Sequence, residues 1–268
     1  MPELPEVQAV VDYLIDRIHG DIIKEVDVLW HRTIASHSAA KFKSLILEHS
    51  VKQVSRRGKY IVIALDGKTE QFLFIHLRMT GSIDVLKNAL PASKHDRLII
   101  RFSSGKQLIF SDTRKFGRMF LTPDPLSITK NLGLEPLDAN LNVVELAKQI
   151  KSKNGMIKPL LLNQRILVGV GNIYADEALW AAKIHPKCKA KDLTIVQLRN
   201  LILAIRRILN LAIKKNGTDF GDGVVDGGMY SPKIYGRAGK PCKRCRFVVK
   251  KLVVGQRGTS ICPKCQKL

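Results

Sequence analysis

The sequence predicts an α+β multidomain protein, and three patterns carry that prediction. An apolar helical repeat opens the chain, short strand-like runs follow up to residue 122, and helical spacing returns between Val143 and Ile213. The last 27 residues hold two Cys-x2-Cys pairs, the mark of a small metal-held unit. A length of 268 residues suits two modest domains or one large one, and 45% hydrophobic residues are enough to bury a core.

Val7, Val10, Val11, Leu14, Ile15 and Ile18 form one helical face, with Gly20 as its stop. Strand-like runs occupy 22–29, 60–65, 72–77, 97–102, 107–110 and 119–121, with turn pairs such as Asp66-Gly67 and Ser104-Gly105 between them. Short strands behind a single helix predict a β-sandwich or a barrel. The Pro-containing stretch 122–136 reads as a linker. Helices are expected over 143–151, 156–163, 172–183 and from Thr194 onward. Pro159 sits near a helix start, where a missing N–H is tolerated. Lys214, Lys215 and Gly217 suit the end of the long helix. Residues 218–235, rich in Gly and Asp, read as a loop. In the tail, 247–254 and 259–262 can pair as a hairpin with Gly255-Gln256-Arg257-Gly258 as its tip.

Lys and Arg number 45 against 23 Asp and Glu, a net charge of +22. That excess implies a polyanion partner, most plausibly nucleic acid. An anionic membrane surface is the weaker alternative, because no long apolar run or basic amphipathic anchor stands out. After Asp226 there is no acidic residue, while Lys and Arg occur eleven times. The N-terminus carries Glu3 and Glu6 where a secretory segment would be basic and then apolar. Together with metal-type cysteine spacing, this predicts a reducing, cytoplasmic setting. Cys188, between Lys187 and Lys189, reads as a bystander thiol.

The opening Met1-Pro2-Glu3-Leu4-Pro5-Glu6 is the most specific chemical signal. A small second residue lets Met1 be removed, leaving Pro2 with a free secondary amine. Terminal amines titrate near ~7.7–8.0, against ~10.4 for lysine, so far more of the amine is unprotonated at neutral pH. Such an amine can attack an aldehyde-level carbon and form a Schiff base. Glu3 places a carboxylic acid beside it. In the tail, Cys242-x2-Cys245, sixteen residues, then Cys262-x2-Cys265 predicts one structural zinc in a closed tetrahedral site. Arg257, at the expected hairpin tip, would probe DNA. Gly169-Val170-Gly171-Asn172 lies where a loop enters a helix, and backbone N–H groups there can hold an anion. The third glycine of a dinucleotide fingerprint is missing.

Together these residues resemble bacterial formamidopyrimidine-DNA glycosylase from end to end. The shared marks are Pro2–Val7, Arg56-Arg57-Gly58-Lys59-Tyr60, Ile75-His76-Leu77-Arg78-Met79-Thr80-Gly81, Thr113-Arg114-Lys115-Phe116-Gly117, residues 168–175 and the four-cysteine finger. The resemblance implies an N-terminal β-sandwich with a leading helix, a helical helix-two-turn-helix module and a C-terminal zinc-finger β-hairpin. The corresponding divisions are 1–122, a linker at 123–138, 139–217, a lesion-covering loop at 218–235, and 236–268. It implies a bifunctional DNA glycosylase/AP lyase of base excision repair that excises oxidised purines from duplex DNA. Pro2 is then the nucleophile, Glu3 the acid, and Lys59 a catalytic phosphate contact. Met79, Arg114 and Phe116 would fill the space left by a flipped nucleotide, with Lys115 in the same basic loop. His76, Lys158, Asn172 and Arg257 would contact DNA phosphates, and Glu177 would lie near the lesion pocket. For Met79 and Phe116 a place in the core is the alternative, and for Lys59 a solvated strand-end charge.

The chain departs from the family at Arg78, where glycine is common, and at Thr113, where proline is common. Lys115 replaces a frequent arginine. The 218–235 loop is several residues shorter than usual and carries Asp219, Asp222 and Asp226, so individual lesion contacts are not carried over. Competing readings are an endonuclease VIII-like enzyme for oxidised pyrimidines, a non-catalytic zinc-finger DNA-binding protein and an RNA-binding protein. Leu4 and Phe116 favour the purine branch. The expected partner is damaged double-stranded DNA, with no membrane, no obligatory protein partner, and a monomer associated with the bacterial nucleoid.

Overall fold

The computed structural model describes residues 1–88, 90–218 and 228–268. It divides the chain into two compact units, one built on residues 1–130 and one on 131–218 with 229–268.

The first unit opens with α1 (Leu4–Ile18), whose residues Leu4, Val7, Val11, Leu14 and Ile18 are buried. The helix begins three residues earlier than the apolar repeat predicts. Glu6 Oε2 accepts from the Glu3 N–H at 2.9 Å in a capping box, and Pro sits within the first two helical positions. Both devices satisfy or remove donors that a helix start leaves orphaned. There follow β1 (Ile23–Val28), α2 (Ala39–Ile46), β2 (Ser50–Arg57), β3 (Tyr60–Asp66), β4 (Gln71–His76), β5 (Gly81–Leu86), β6 (Asp96–Phe102), β7 (Gln107–Asp112) and β8 (Arg118–Thr122). They form two four-stranded antiparallel sheets, ordered β1-β6-β7-β5 and β2-β3-β4-β8. Every second residue faces one shared core: Ile61, Ile63 and Leu65 on β3, Leu98 and Ile100 on β6, Leu108 and Phe110 on β7. The outcome is the sandwich.

Three elements were not legible. The β2 strand has few apolar residues, and a register irregularity between Val51 and Gln53 lets Val51 and Val54 both reach the core despite their odd spacing. The β5 strand is short and starts at a glycine, and α2 buries only Phe42 and Ile46 behind its Ser38 cap. The expected linker holds a one-turn helix, α3 (Leu126–Thr129).

The second unit contains α4 (Val143–Lys151), α5 (Ile157–Leu162), α6 (Asn172–Ala181) and α7 (Ile195–Ile213). Asn142 caps α4, and Thr194 with Gln197 forms a capping box on α7. The long helix packs on α4 and α6. Gly217, at φ +78°, donates back to the Ala212 carbonyl and ends the α7 region. The loop expected over 218–235 falls, at 219–227, outside the described residues. On either side of that stretch Thr218 bridges Met229, and Tyr230 donates to the Gly217 carbonyl. The tail forms a hairpin of β9 (Lys250–Val254) and β10 (Arg257–Ile261). Arg257 pairs with Val254, so it is the first residue of a strand and not part of the tip. The tip is the two-residue turn Gly255-Gln256, with both φ values positive, as a type I′ turn requires. Among the described residues no helix is long and apolar enough to cross a membrane.

Candidate active site and nucleic-acid interface

The start of α1 gathers the first group of residues. Pro2 and Glu3 are buried, and Met1 is 46% exposed. Glu3 is the N-cap of α1, where the helix dipole favours a negative charge. Lys59 occupies the two-residue turn between β2 and β3, behind Gly58 at φ +58°. Its side chain is buried, which overturns the solvated alternative. Arg56 ties this turn to the second turn of α1: Nε donates to Gln8 Oε1 at 3.1 Å and Nη1 to the Gly58 carbonyl at 3.0 Å. The structure thus holds the turn that carries Lys59 against the helix that Pro2 and Glu3 begin.

His76 ends β4 with its ring 4.9 Å from Tyr60, edge-on. Its Nδ1 accepts the Arg78 N–H at 3.0 Å, so the ring proton resides on Nε2. Burial, then the charges of Arg78 and Lys59, push its pKa down to about 3. His76 therefore presents a neutral N–H donor at physiological pH.

Two loops leave the sandwich with apolar side chains in water. Met79 is 39% exposed and Phe116 46%, which overturns a place in the core. The Arg114 guanidinium lies 4.9 Å from the Phe116 ring centre. Lys115 Nζ lies 4.1 Å over the Trp30 ring, an engagement that sequence reasoning missed. Arg78 and Lys115 both adopt left-handed backbone, at φ +58° and +59°.

In the second unit the start of β10 meets the starts of two helices. The Gly258 carbonyl accepts from Lys158 Nζ at 3.2 Å and from Asn172 Nδ2 at 2.9 Å. Lys158 also donates to Asp176 Oδ1 at 2.6 Å and Thr259 Oγ1 at 2.7 Å. The ammonium is fully buried and donates to these three acceptors inside the protein. This corrects the expectation of a direct phosphate contact: Lys158 fixes the hairpin. Arg257, next to Gly258, is exposed, and Asn172 Oδ1 is buried with no hydrogen-bond partner among the described residues. The Gly169 N–H, expected in an anion cradle, instead donates to Gln164 Oε1 at 2.9 Å.

Glu177 lines a cavity with Trp180, Arg207, Tyr230 and Lys233, and its carboxylate is held by four donors. Oε1 accepts from the Ile234 and Tyr235 N–H groups at 2.7 and 2.9 Å, and Oε2 from Lys233 N–H and the Tyr230 hydroxyl at 2.9 and 3.1 Å. It pins residues 230–235 to α6. Burial, then the Glu177 charge, raises the Tyr230 pKa, so the phenol stays protonated. Asp176, which sequence reasoning missed, is buried beside Lys158 and accepts the Ser260 N–H at 2.8 Å. Burial outweighs the pull of Lys158 and pushes its pKa up to about 6.

The thiols of Cys242, Cys245, Cys262 and Cys265 lie within 4.8 Å of one another, a spacing that suits four Zn–S bonds of about 2.3 Å. The Trp180 indole N–H and the Arg244 N–H each point to Cys242 Sγ at 3.4 Å. Burial pushes Cys242 up, but the N–H donors outweigh it and lower the pKa to about 6, favouring the thiolate that a metal needs. Arg244 stacks on Trp180 at 4.2 Å and donates to the Trp180 and Ala181 carbonyls, bolting the finger to the end of α6.

A two-sheet sandwich, a capped helical module and a hairpin behind four thiols together define a multidomain zinc-finger protein. Residues 1–119 match the formamidopyrimidine-DNA glycosylase N-terminal domain, 132–222 the H2TH domain of the same enzymes, and 239–268 a zinc finger found in FPG and IleRS. A formamidopyrimidine-DNA glycosylase of Protochlamydia amoebophila is 39% identical, with each chain covered at 100%. The Lactococcus lactis Fpg bound to abasic-site DNA superimposes with a TM-score of 0.91 at 34% identity, covering 99% of this chain and 100% of that one. The same Fpg bound to DNA containing an oxidised pyrimidine gives 0.91 at 33% identity, covering both chains at 100%. The chain belongs to the formamidopyrimidine-DNA glycosylase family, and its four cysteines hold one structural zinc.

Proposed function

We propose that this protein is a bifunctional DNA glycosylase/AP lyase of base excision repair, acting on oxidised purines in duplex DNA. The damaged nucleotide leaves the stack at a cost of a few kcal/mol, on the order of one unstacking event. After loss of Met1, the Pro2 amine attacks the sugar C1′ and forms the C–N bond. The base leaves with the C1′–base electron pair and takes a proton; the nitrogen then loses its own proton, and its lone pair breaks the C1′–O4′ bond, so that O4′ takes a proton and a ring-opened iminium remains. Glu3 supplies the acid for ring opening and base departure. Abstraction of sugar protons then allows β- and δ-elimination, and water releases Pro2. Zinc supplies no step: it cross-links the hairpin that carries Arg257.

The observation that carries this reading is the buried Pro2-Glu3 start of α1, tied through Gln8 and Arg56 to the turn holding Lys59. Residues 1–122 act as the catalytic domain, while 139–217 and 236–268 hold DNA. Lys59, His76, Asn172 and Arg257 contact phosphates, and Met79, Arg114 and Phe116 occupy the vacated space with Lys115 alongside. Lys158 and Glu177 position these parts. One chain supplies every part, so a monomer suffices, working in the bacterial cytoplasm.

Borohydride reduction with abasic duplex DNA tests the reading. Processed protein should yield a covalent adduct whose sequenced peptide begins at Pro2. A crosslink to another side chain, or none with DNA binding intact, overturns it. The solved neighbour holding an oxidised pyrimidine gives a second reading, an endonuclease VIII-like preference. Faster release of thymine glycol opposite adenine than of 8-oxoguanine opposite cytosine would establish that preference instead.

A further inference from the structure

The loop that presents Met79 and the loop that presents Arg114 and Phe116 are separate in sequence, yet one buried carboxylate joins them. Asp112, the last residue of β7, is 1% exposed. Its Oδ1 accepts from the Thr80 hydroxyl at 2.5 Å and the Arg114 N–H at 3.1 Å. Its Oδ2 accepts from the Gly117 N–H at 2.7 Å. The Arg114 N–H also reaches Thr80 Oγ1 at 3.3 Å. Three donors from two loops thus converge on one side chain.

Two residues back on the same strand, the Phe110 ring completes the platform. A Cβ added at Gly117 would lie 2.3 Å from Phe110 Cζ, and one at Gly81 would lie 3.0 Å from Phe110 Cε2 and 2.5 Å from the Leu77 carbonyl oxygen. Both loops therefore end in glycines pressed onto one aromatic ring. The backbone of Asp112 is fixed as well, by Arg97 Nε on its carbonyl at 2.8 Å and by its own N–H on the His95 carbonyl at 2.9 Å. A charged group this deeply buried is tolerated only when its lone pairs are satisfied.

We propose that Asp112 is a positioning residue that couples the two loops, so that Met79, Arg114 and Phe116 enter the duplex as one unit. The inference rests on the reading of those three side chains as the group that fills the vacated space. Its physical content is geometric. Misplacing reacting or reading groups by about 1 Å can cost on the order of 100-fold in rate. Arg114, which faces the orphaned base, should lose its ability to tell one opposite base from another.

The variants are Asp112→Asn, Thr80→Val, Thr80→Ser and Phe116→Ala. Asparagine keeps the shape but turns an amide N–H toward one of the three donors. Valine removes the Thr80 bond alone, and serine restores it. Three quantities are read: excision of 8-oxoguanine from duplex, the ratio of rates opposite cytosine and adenine, and borohydride trapping on an abasic site in single-stranded DNA. Asp112→Asn should lower duplex excision by on the order of 100-fold, flatten the opposite-base ratio and leave single-strand trapping near wild type. Thr80→Val should move both duplex quantities the same way by less, and Thr80→Ser should restore them. A loss that appears equally in single-strand trapping marks general damage and overturns the proposal. If Phe116→Ala impairs excision while Asp112→Asn and Thr80→Val leave rate and ratio intact, the coupling is wrong and the wedge reading stands. If Phe116→Ala is without effect, the wedge reading fails and takes the coupling with it. Should Asp112→Asn not fold, the Thr80 pair decides alone.

Discussion

The sandwich loops and the hairpin junction use charged and apolar residues in opposite ways. At residues 78–80 and 113–117, Met79 and Phe116 stand in water, and two long side chains sit on left-handed backbone. At the junction of α5, α6 and the hairpin, Lys158, Asp176 and Glu177 are buried and their hydrogen-bonding capacity is spent inside the protein. The first region sets aside packing preference to present side chains outward. The second takes ions out of water to hold backbone in place. Mutations should therefore affect binding chiefly in the first region and stability chiefly in the second, and the two behaviours can be measured apart.

The largest expected effect is loss of zinc. In small fingers zinc contributes roughly 10–16 kcal/mol, far more than a two-stranded hairpin can supply. Cys262→Ser or a strong chelator should melt the hairpin and abolish tight DNA binding. The near-ultraviolet signal of the sandwich, followed in a Trp180→Phe background, should persist. Collapse of the sandwich as well would show that the separation drawn here is false.

Next comes the buried ion pair. Lys158→Met removes the ammonium that Asp176, Thr259 and the Gly258 carbonyl share and breaks the buried pair, which should cost about 3–5 kcal/mol in urea unfolding. A Lys158→Met/Asp176→Leu double variant should recover most of that loss, because two apolar groups need no partners. Arg257→Ala, at the exposed neighbour of Gly258, should leave the unfolding midpoint in place and reduce the salt slope of DNA binding by about one. If Lys158→Met mainly reduced that slope without loss of stability, Lys158 would be a phosphate ligand after all.

The two regions were unequally legible from sequence. The motif positions around Met79 and Phe116 could be assigned by resemblance, and their exposure agrees with an outward role. The sandwich itself was visible because β3, β6 and β7 carry dense apolar runs. The hairpin junction was misread at Lys158, since a lone lysine on a basic chain looks like surface. Its burial depends on Asp176 and Thr259, which lie 18 and 101 residues away along the chain. No local pattern encodes that convergence. The partners of Glu177 were illegible for the same reason: they are mostly backbone N–H groups, which a sequence never displays.

Trp180 offers a smaller test within the second region. Its indole N–H is a hydrogen-bond donor to Cys242 Sγ, and Phe cannot replace it. Loss of such an outer contact typically costs 10–100-fold in metal affinity, or about 1.4–2.7 kcal/mol. Trp180→Phe should release zinc faster to a colorimetric chelator, with helix content unchanged. Equal release rates would reduce the contact to packing.

Acid titration separates Asp176 from its neighbours by sign. Its folded pKa, about 6, lies above the ordinary 3.8. A carboxyl raised on folding holds its proton more tightly in the native state, so its contribution is complete below pH 3.8 and is lost as pH rises through about 6. The stability of wild type relative to Asp176→Asn should therefore fall across that window. A rise would mean that the Lys158 charge, and not burial, governs the site.

The smallest effects return to the loops. Arg78 adopts φ +58°, a conformation that costs an L-residue about 1–2 kcal/mol and glycine very little. Glycine gives back about 0.5–1 kcal/mol through the entropy of its unfolded chain. Arg78→Gly should thus be neutral to stabilising by about 1.5 kcal/mol at most, the difference between those two terms. Lys115 sits at φ +59°, but its ammonium also lies over Trp30, a contact worth about 0.5–1 kcal/mol when exposed. Lys115→Gly should therefore gain nothing or lose slightly. Denaturant unfolding of the two variants decides the matter: if both gain equally, the Trp30 contact holds nothing. If Arg78→Gly loses stability, the guanidinium matters more than backbone strain, because the backbone N–H that His76 Nδ1 accepts is kept.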